Sequence, residues 1–330
     1  MKIIVGGRFD YIQFAWQKAV DSGHVIYFTN EVFRTLSFSN RIRAKIEDVL
    51  AKTLKKKAPD FAARASLREY FDIDSLHSRD EILFILYEMN FLSTDPDLLH
   101  YLKRTFPKAK FVLAFTNTIG SVRPDGTEIL LKNQEFFDLI YTFNKPDATK
   151  YGFHFFPDLC GDFSEIQPAD CDDFDVFFAG RAKGRLEQLL DFASLCVNLG
   201  RTIRFHITEV PAEKQRTIPG VVYGQYLPYL EMLSIEKRAK AILNIMQGVS
   251  SGISLRDEEA MGMNKVLITD NDFMFVPEYY EEKKIIPLPN FTDQVYKLDF
   301  TDACWENSKR PVNYQSFLDQ IQTDLGINLN

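Results

Sequence analysis

The chain has 330 residues, 45% apolar and 26% charged, with only 16 Gly and 14 Pro; disordered, collagen-like and low-complexity classes are excluded. Length favours two domains, and no apolar run approaches the roughly 18 residues that a membrane-spanning helix needs. Net charge is −7, from 39 basic and 46 acidic residues, which argues against a general nucleic-acid binder.

Taken in chain order, Lys2–Gly6 predicts a first strand rather than the apolar core of a signal peptide. Tyr11–Ser22 predicts a helix that Gly23 ends. Strands are expected at His24–Phe28, Glu81–Tyr87, Lys110–Thr116 and Leu139–Phe143. Between the second and third lies a helical region with Ile42, Ile46, Val49 and Leu50 on one face and Arg41, Lys45, Lys52, Lys55 and Lys56 on the other. Residues 41–68 hold nine Lys/Arg against three Asp/Glu, a local +6 in a chain that is −13 elsewhere.

The pattern restarts after an acidic, loop-like stretch at 161–173. Strands are expected at Phe174–Ala179, Thr202–Ile207, Val221–Tyr223, Ala241–Ile245, Val266–Thr269 and Ile285–Leu288, with a helix over Arg185–Leu199. Tyr314, Phe317, Leu318, Ile321 and Leu325 mark an amphipathic closing helix. Strands alternating with helices imply parallel sheets covered on both faces. The fold class is therefore α/β, with two Rossmann-like doubly wound domains facing a cleft. Residues 1–160 form the first domain, 161–173 a linker, 174–310 the second domain and 311–330 a C-terminal helix. Ligands in such sheets bind beyond the carboxyl ends of the strands.

Two loops of the second half carry the chemistry. Gly248 to Ala260 follows an expected strand and opens a helix, with Ser254 and Asp257 spaced as a capping box. Small residues before a helix leave backbone N–H groups free for an anion, so Ser250, Ser251, Gly252, Ile253, Ser254 and Leu255 form a candidate phosphate cradle. Arg256 sits in the first turn, where acids are preferred, and a bound anion would explain it. The second loop is Gly180-Arg181-Ala182-Lys183-Gly184-Arg185, which places three cations after a strand. Backbone donors on one loop and cations on the other suit a diphosphate.

The ordered set Gly180-Arg181…Lys183-Gly184, Val221-Val222-Tyr223-Gly224, Ala239–Ile245 and Gly252…Glu259-Ala260…Gly262 resembles the donor-binding half of GT-B glycosyltransferases. The likeness is to retaining family-4-like enzymes, and more narrowly to bacterial proteins of capsule and lipopolysaccharide loci. It implies that Arg181 and Lys183 hold a nucleotide diphosphate and that Glu259 binds the ribose hydroxyls. It also implies that Tyr223, Gly224 and Gln225 begin the base-recognition loop. Ser251 stands where the family has its first glutamate, a ligand of the donor sugar, and so leaves the donor sugar and the stereochemical outcome open.

The first half supplies the acceptor side in such a fold. Gly6 and Gly7 offer a tight turn for close substrate approach, without the G-x-G-x-x-G of a dinucleotide site. Asp10 and Glu88 are candidate catalytic bases, and Asn90 and Asn117 are candidate acceptor ligands. Gly248–Gly252 matches a hydrolase nucleophile elbow, but all five His precede it, contrary to that fold's order. Neither the five His nor the four Cys show metal spacing, so no metal or other cofactor is expected, and the cysteines fit reduced thiols.

The expected function is transfer of a sugar from a nucleotide-activated donor to a surface-glycan or lipid-linked acceptor. The alternatives are a non-catalytic nucleotide-sugar- or glycan-binding protein on the same fold, or a nucleotide-sugar epimerase. The expected location is the cytoplasm, with residues 41–57 touching the anionic inner face of a membrane; no nucleic-acid partner is expected.

Overall fold

Parallel strands buried on both faces need uninterrupted apolar runs, and the sequence supplies them. In a computed structural model of the chain every residue of Ile82–Tyr87 is buried, as are five of the six in Lys110–Phe115. The structure describes residues 1–7, 9–28, 46, 49, 67, 73–88, 96–121, 125–247, 252–276, 284–288 and 312–329. Among these, twelve strands form two six-stranded sheets in which every pairing is parallel.

The first sheet is built from β1 (Lys2–Gly6), β2 (Val25–Phe28), β3 (Ile82–Tyr87), β4 (Lys110–Phe115), β5 (Leu139–Thr142) and β6 (His154–Phe155). Its order is β2-β1-β3-β4-β5-β6, so the chain changes direction across the sheet between β1 and β3. Helices α1 (Asp10–Asp21), α2 (Pro96–Thr105), α3 (Gly126–Asn133) and α4 (Lys145–Tyr151) connect these strands. One core cluster includes Ile4, Phe28, Phe84, Phe111 and Leu113, with the Phe84 and Phe111 rings stacked at 5.0 Å.

The second sheet contains β7 (Phe174–Arg181), β8 (Ile203–Thr208), β9 (Val221–Tyr223), β10 (Ala239–Asn244), β11 (Val266–Thr269) and β12 (Ile285–Pro287). Its connecting helices are α5 (Leu186–Asn198), α6 (Tyr229–Glu236) and α7 (Leu255–Gly262). The order β12-β11-β10-β7-β8-β9 places the switch point between β7 and β10. Alternate residues of β7 feed opposite faces: Val176 and Phe178 pack with α5, while Phe177 and Ala179 pack with Ile235 of α6.

Helix α8 (Tyr314–Leu325) returns to the first unit. Trp16 of α1 meets Tyr314 and Phe317 at ring distances of 5.9 and 6.5 Å, and the Tyr141 hydroxyl donates to Asp324 Oδ2 at 2.6 Å. The chain divides into one unit of Met1–Phe143, Asp147–Phe156 and Tyr314–Asn330, and a second of Asn144–Pro146 and Pro157–Asn313. Residues 161–173, expected as a linker, fall in the second unit, where Phe163 is buried.

Expected and observed strands agree to within two residues at either end; β7 runs on through Arg181. The two-residue β6 was not expected, because two residues carry no period. Most of the basic segment 41–57 lies outside the described residues. Ile46 and Val49, expected on its apolar face, are exposed. No helix among the described residues is long and apolar enough to cross a membrane.

Candidate functional site

The switch point of the second sheet brings together the two loops that the sequence singled out. Strand β7 ends in Gly180-Arg181, and the turn through Lys183 and Gly184 takes left-handed backbone at both residues (φ 40° and 81°). This tight reversal delivers Arg185 to the start of α5, buried to 9% exposure. Its Nη1 donates to the Ile245 carbonyl at the end of β10, its Nη2 to the Arg181 carbonyl at 3.4 Å, and its guanidinium lies 5.2 Å from the centre of the Phe178 ring. The Arg185 Nε is buried with no hydrogen-bond partner.

A second guanidinium shares that ring. Arg256, in the first turn of α7, lies 4.9 Å from the Phe178 centre and donates through Nη2 to the Ala179 carbonyl. A Cβ placed on Gly180 would sit 3.8 Å from Arg185 Nη2 and 3.9 Å from Arg256 Nη2, so both guanidiniums border the same glycine. Burial and the Arg256 charge push Arg185 down to about 10, against an opposing pull from Asp270; it remains cationic at neutral pH. Glu259 Oε2 lies 4.0 Å from Arg256 Nε. A buried Arg185 beside a half-buried Arg256 is costly, and an anion between them would offset that cost.

The loop entering α7 is fixed by a buried polar network. Ser254 and Asp257 complete the expected capping box. Asp257, wholly buried, accepts from Asn244 Nδ2 at 2.8 Å, Asn271 Nδ2 at 3.0 Å, Ser254 N at 2.9 Å and Ser254 Oγ at 2.8 Å. Asn271 also donates to the Gly252 carbonyl at 2.8 Å, and Asp270 Oδ1 accepts from Met246 N at 2.7 Å. The ends of β10 and β11 thus hold the loop from both sides. Gly252 and Ile253 lie in this held stretch with Ser254 and Leu255; Ser250 and Ser251 fall outside the described residues.

Other expected donor residues are placed differently. Arg181 is exposed and pairs with Glu209 at 3.2 Å, and Lys183 is exposed, its ammonium held below the usual range first by burial and then by Arg181 and Arg185. Arg185 and Arg256, not Arg181 and Lys183, are therefore the cations that meet on one ring. Glu259 is buried to 1%, and its Oε1 accepts from the Tyr229 hydroxyl at 2.8 Å. Tyr223 is occupied too: its hydroxyl donates to the Arg216 carbonyl at 2.8 Å and accepts from Arg216 N at 3.0 Å. Gly224 and Gln225 follow it as exposed residues, beside an exposed Tyr226 that sequence reasoning missed.

In the first unit the close approach at Gly6 and Gly7 is to the protein itself. A Cβ on Gly6 would lie 2.4 Å from Phe28 Cζ, and one on Gly7 would lie 2.0 Å from the Tyr27 hydroxyl. Strand β2 therefore demands these glycines. Glu88, expected as a base, is buried at the end of β3, where it accepts from Thr116 N at 2.7 Å, Thr116 Oγ1 at 3.0 Å and Asn117 Nδ2. Burial pushes its carboxyl up and these bonds pull it back; its oxygens are engaged in holding the β4 exit. Asp10 is exposed at the first turn of α1, and Asn90 lies outside the described residues. No three His, Cys, Asp or Glu side chains among the described residues converge as a metal-ligand set.

No protein-family profile and no curated protein matches this sequence. Solved structures do match in fold. An alpha-glucosyltransferase in complex with UDP-glucose and DNA containing an abasic site aligns with a TM-score of 0.57 and 10% identity, over 98% of this chain and 99% of that one. T4 phage BGT in complex with UDP and Mn2+ aligns at 0.50 and 13% identity, over 99% and 100%, and OtsA at 0.50 and 11%, over 98% and 96%. The fold is that of the GT-B glycosyltransferases: two Rossmann-like α/β domains with a C-terminal helix.

Proposed function

We propose that this protein is a glycosyltransferase whose second domain binds a nucleotide diphosphate-activated sugar. The observation that carries the reading is the pair of guanidiniums, Arg185 and Arg256, on Phe178 at the β7–β10 switch point. The diphosphate would take the Gly180–Arg185 turn on one side and the Ser250–Leu255 cradle on the other, with Arg181 and Lys183 as outer cations. As the glycosidic bond breaks, negative charge grows on the departing diphosphate. Fixed cations with few competing carboxylates stabilise that charge more in the transition state than in the ground state. These residues do that without calling on a further group.

The base would sit near Gly224, Gln225 and Tyr226, where an exposed aromatic ring offers a stacking face. Asp10 is the better candidate for a base toward an acceptor hydroxyl, since Glu88 has its oxygens taken up. The acceptor is a surface glycan or lipid-linked saccharide of the capsule or lipopolysaccharide kind. Supporting this is the +6 segment, whose residues 41–57 would draw the chain to anionic lipid at about 1 kcal/mol per well-placed cation. Thermal-shift screening against a panel of nucleotide sugars tests the donor, since a ligand at 100 times its Kd adds about 2.7 kcal/mol. Release of free nucleotide only when an acceptor glycan is added separates a transferase from a binding protein or an epimerase.

A further inference from the structure

Behind Arg256 lies a group of buried side chains that the diphosphate reading does not use. Glu259 stands at the centre: Oε2 is 4.0 Å from Arg256 Nε, and Oε1 accepts from the Tyr229 hydroxyl at 2.8 Å. Glu236, the last residue of α6, is buried to 1%, and neither of its carboxylate oxygens has a hydrogen-bond partner. An ionised carboxylate in that condition is expensive, whereas a protonated one is tolerated. The charged and titratable groups acting on this pair are Arg256, Lys265, Asp257, Tyr229 and Cys160. Lys265 is itself tied by its ammonium to the Lys237 carbonyl at 2.7 Å.

We infer that Glu236 and Glu259 are a proton-holding pair that positions Arg256 and sets the anion affinity of the switch-point loop. The inference rests on the diphosphate reading above and deepens it. With one proton on the pair, Glu259 steadies Arg256 from behind while Glu236 stays neutral. A second proton, taken up by Glu259, removes the counter-charge of Arg256 and leaves that guanidinium uncompensated toward the ligand. Donor binding and proton uptake are then linked, each promoting the other by the same factor. Burial drives Glu259 up to about 7, with Arg256 and the Tyr229 bond opposing, so the exchange falls in the neutral range. Glu236 is pushed well above the usual carboxylate range by burial and by Glu259. Neither residue touches the donor; both act through Arg256.

Calorimetry of the full chain with UDP-glucose and GDP-mannose tests this, because neither diphosphate changes charge between about pH 6 and about pH 8. Affinity for the sugar nucleotide that binds should rise roughly five- to tenfold from the higher pH to the lower, with net proton uptake when heats are compared in two buffers. Glu259→Gln should bind with the low-pH affinity at both pH values and without proton uptake. Glu236→Gln, which mimics the neutral acid, should keep both the wild-type affinity and its pH dependence; a shifted pH dependence would mean that Glu236 is ionised in the wild type and would overturn the inference. Loss of affinity in Glu259→Gln at both pH values would make Glu259 a direct ligand and overturn the inference. So would wild-type binding that is tight, pH-independent and free of proton uptake. Failure of both nucleotides to bind the wild type at either pH would overturn the diphosphate reading, and this inference with it.

Discussion

Arg185 and Arg256 rest on one phenyl ring, that of Phe178, at 5.2 and 4.9 Å from its centre. Each donates to carbonyl oxygens at the ends of β7 and β10, and Arg256 also has the Glu259 carboxylate 4.0 Å from its Nε. Carbonyls orient a guanidinium without neutralising it, so Arg185, whose hydrogen bonds go to carbonyls, keeps its positive charge at the switch point. The first prediction separates binding from stability. Arg185→Met should lose about 1.5–3 kcal/mol of nucleotide-diphosphate affinity, the range for a hydrogen bond to a charged group. Its folding stability should change by only about 1 kcal/mol, because a costly buried charge goes with it. Calorimetry and urea denaturation on the same sample check both halves.

Asp257 accepts four hydrogen bonds, from Asn244 Nδ2, Asn271 Nδ2, Ser254 N and Ser254 Oγ. Asp257→Asn turns an acceptor into a donor facing Asn244 and Asn271. The expected cost is roughly 2–4 kcal/mol of stability, since buried donors lose partners and a charge-assisted network is broken. The loop entering α7 should also lose protection in amide hydrogen exchange. A loss below about 1 kcal/mol in denaturant unfolding would mean that the network is not what holds the loop.

The Tyr27 hydroxyl is buried without a partner and lies against Gly7. Tyr27→Phe removes an unsatisfied group and should leave stability within about 0.5 kcal/mol of wild type or raise it. Gly7→Ala should cost about 1–3 kcal/mol, because its Cβ meets both Tyr27 and Ile12. In the double variant the clash with the hydroxyl is gone but Ile12 remains, so about half the loss should return. A double-mutant cycle in urea measures that coupling.

Burial raises the carboxyls of Glu88, Glu236, Asp257, Glu258 and Glu259 above their ordinary range. The folded chain therefore holds protons more tightly than the unfolded chain. Their contribution to stability is full below the ordinary carboxylate range and is lost as pH rises through the folded values, which for Glu259 is about 7. The melting temperature should fall from about pH 5 to about pH 8, and Glu259→Gln should flatten the upper part of that slope. Melting curves across this range check the sign; a rise with pH would contradict it.

The sequence by itself determined the α/β class and nearly every strand, and it singled out the two loops that Arg185 and Arg256 come from. Apolar runs such as Ile82–Tyr87 and the spacing of Ser254 and Asp257 are local signals, and local signals survive without knowledge of neighbours. What only the tertiary structure decided is which side chains meet. Arg181, Lys183 and Arg185 are equivalent in the sequence, yet the turn through Gly184 buries Arg185 and leaves the other two exposed. Arg256 reaches Phe178 because β10, which leads to α7, lies beside β7, and strand neighbours are set by the sheet's order. Glu88 and Glu259 could be read from the chain as carboxylates near strand and helix ends. Only packing turned the first toward Thr116 and Asn117 and the second toward Tyr229 and Arg256, because a carboxylate taken out of water must find its donors wherever the fold places them.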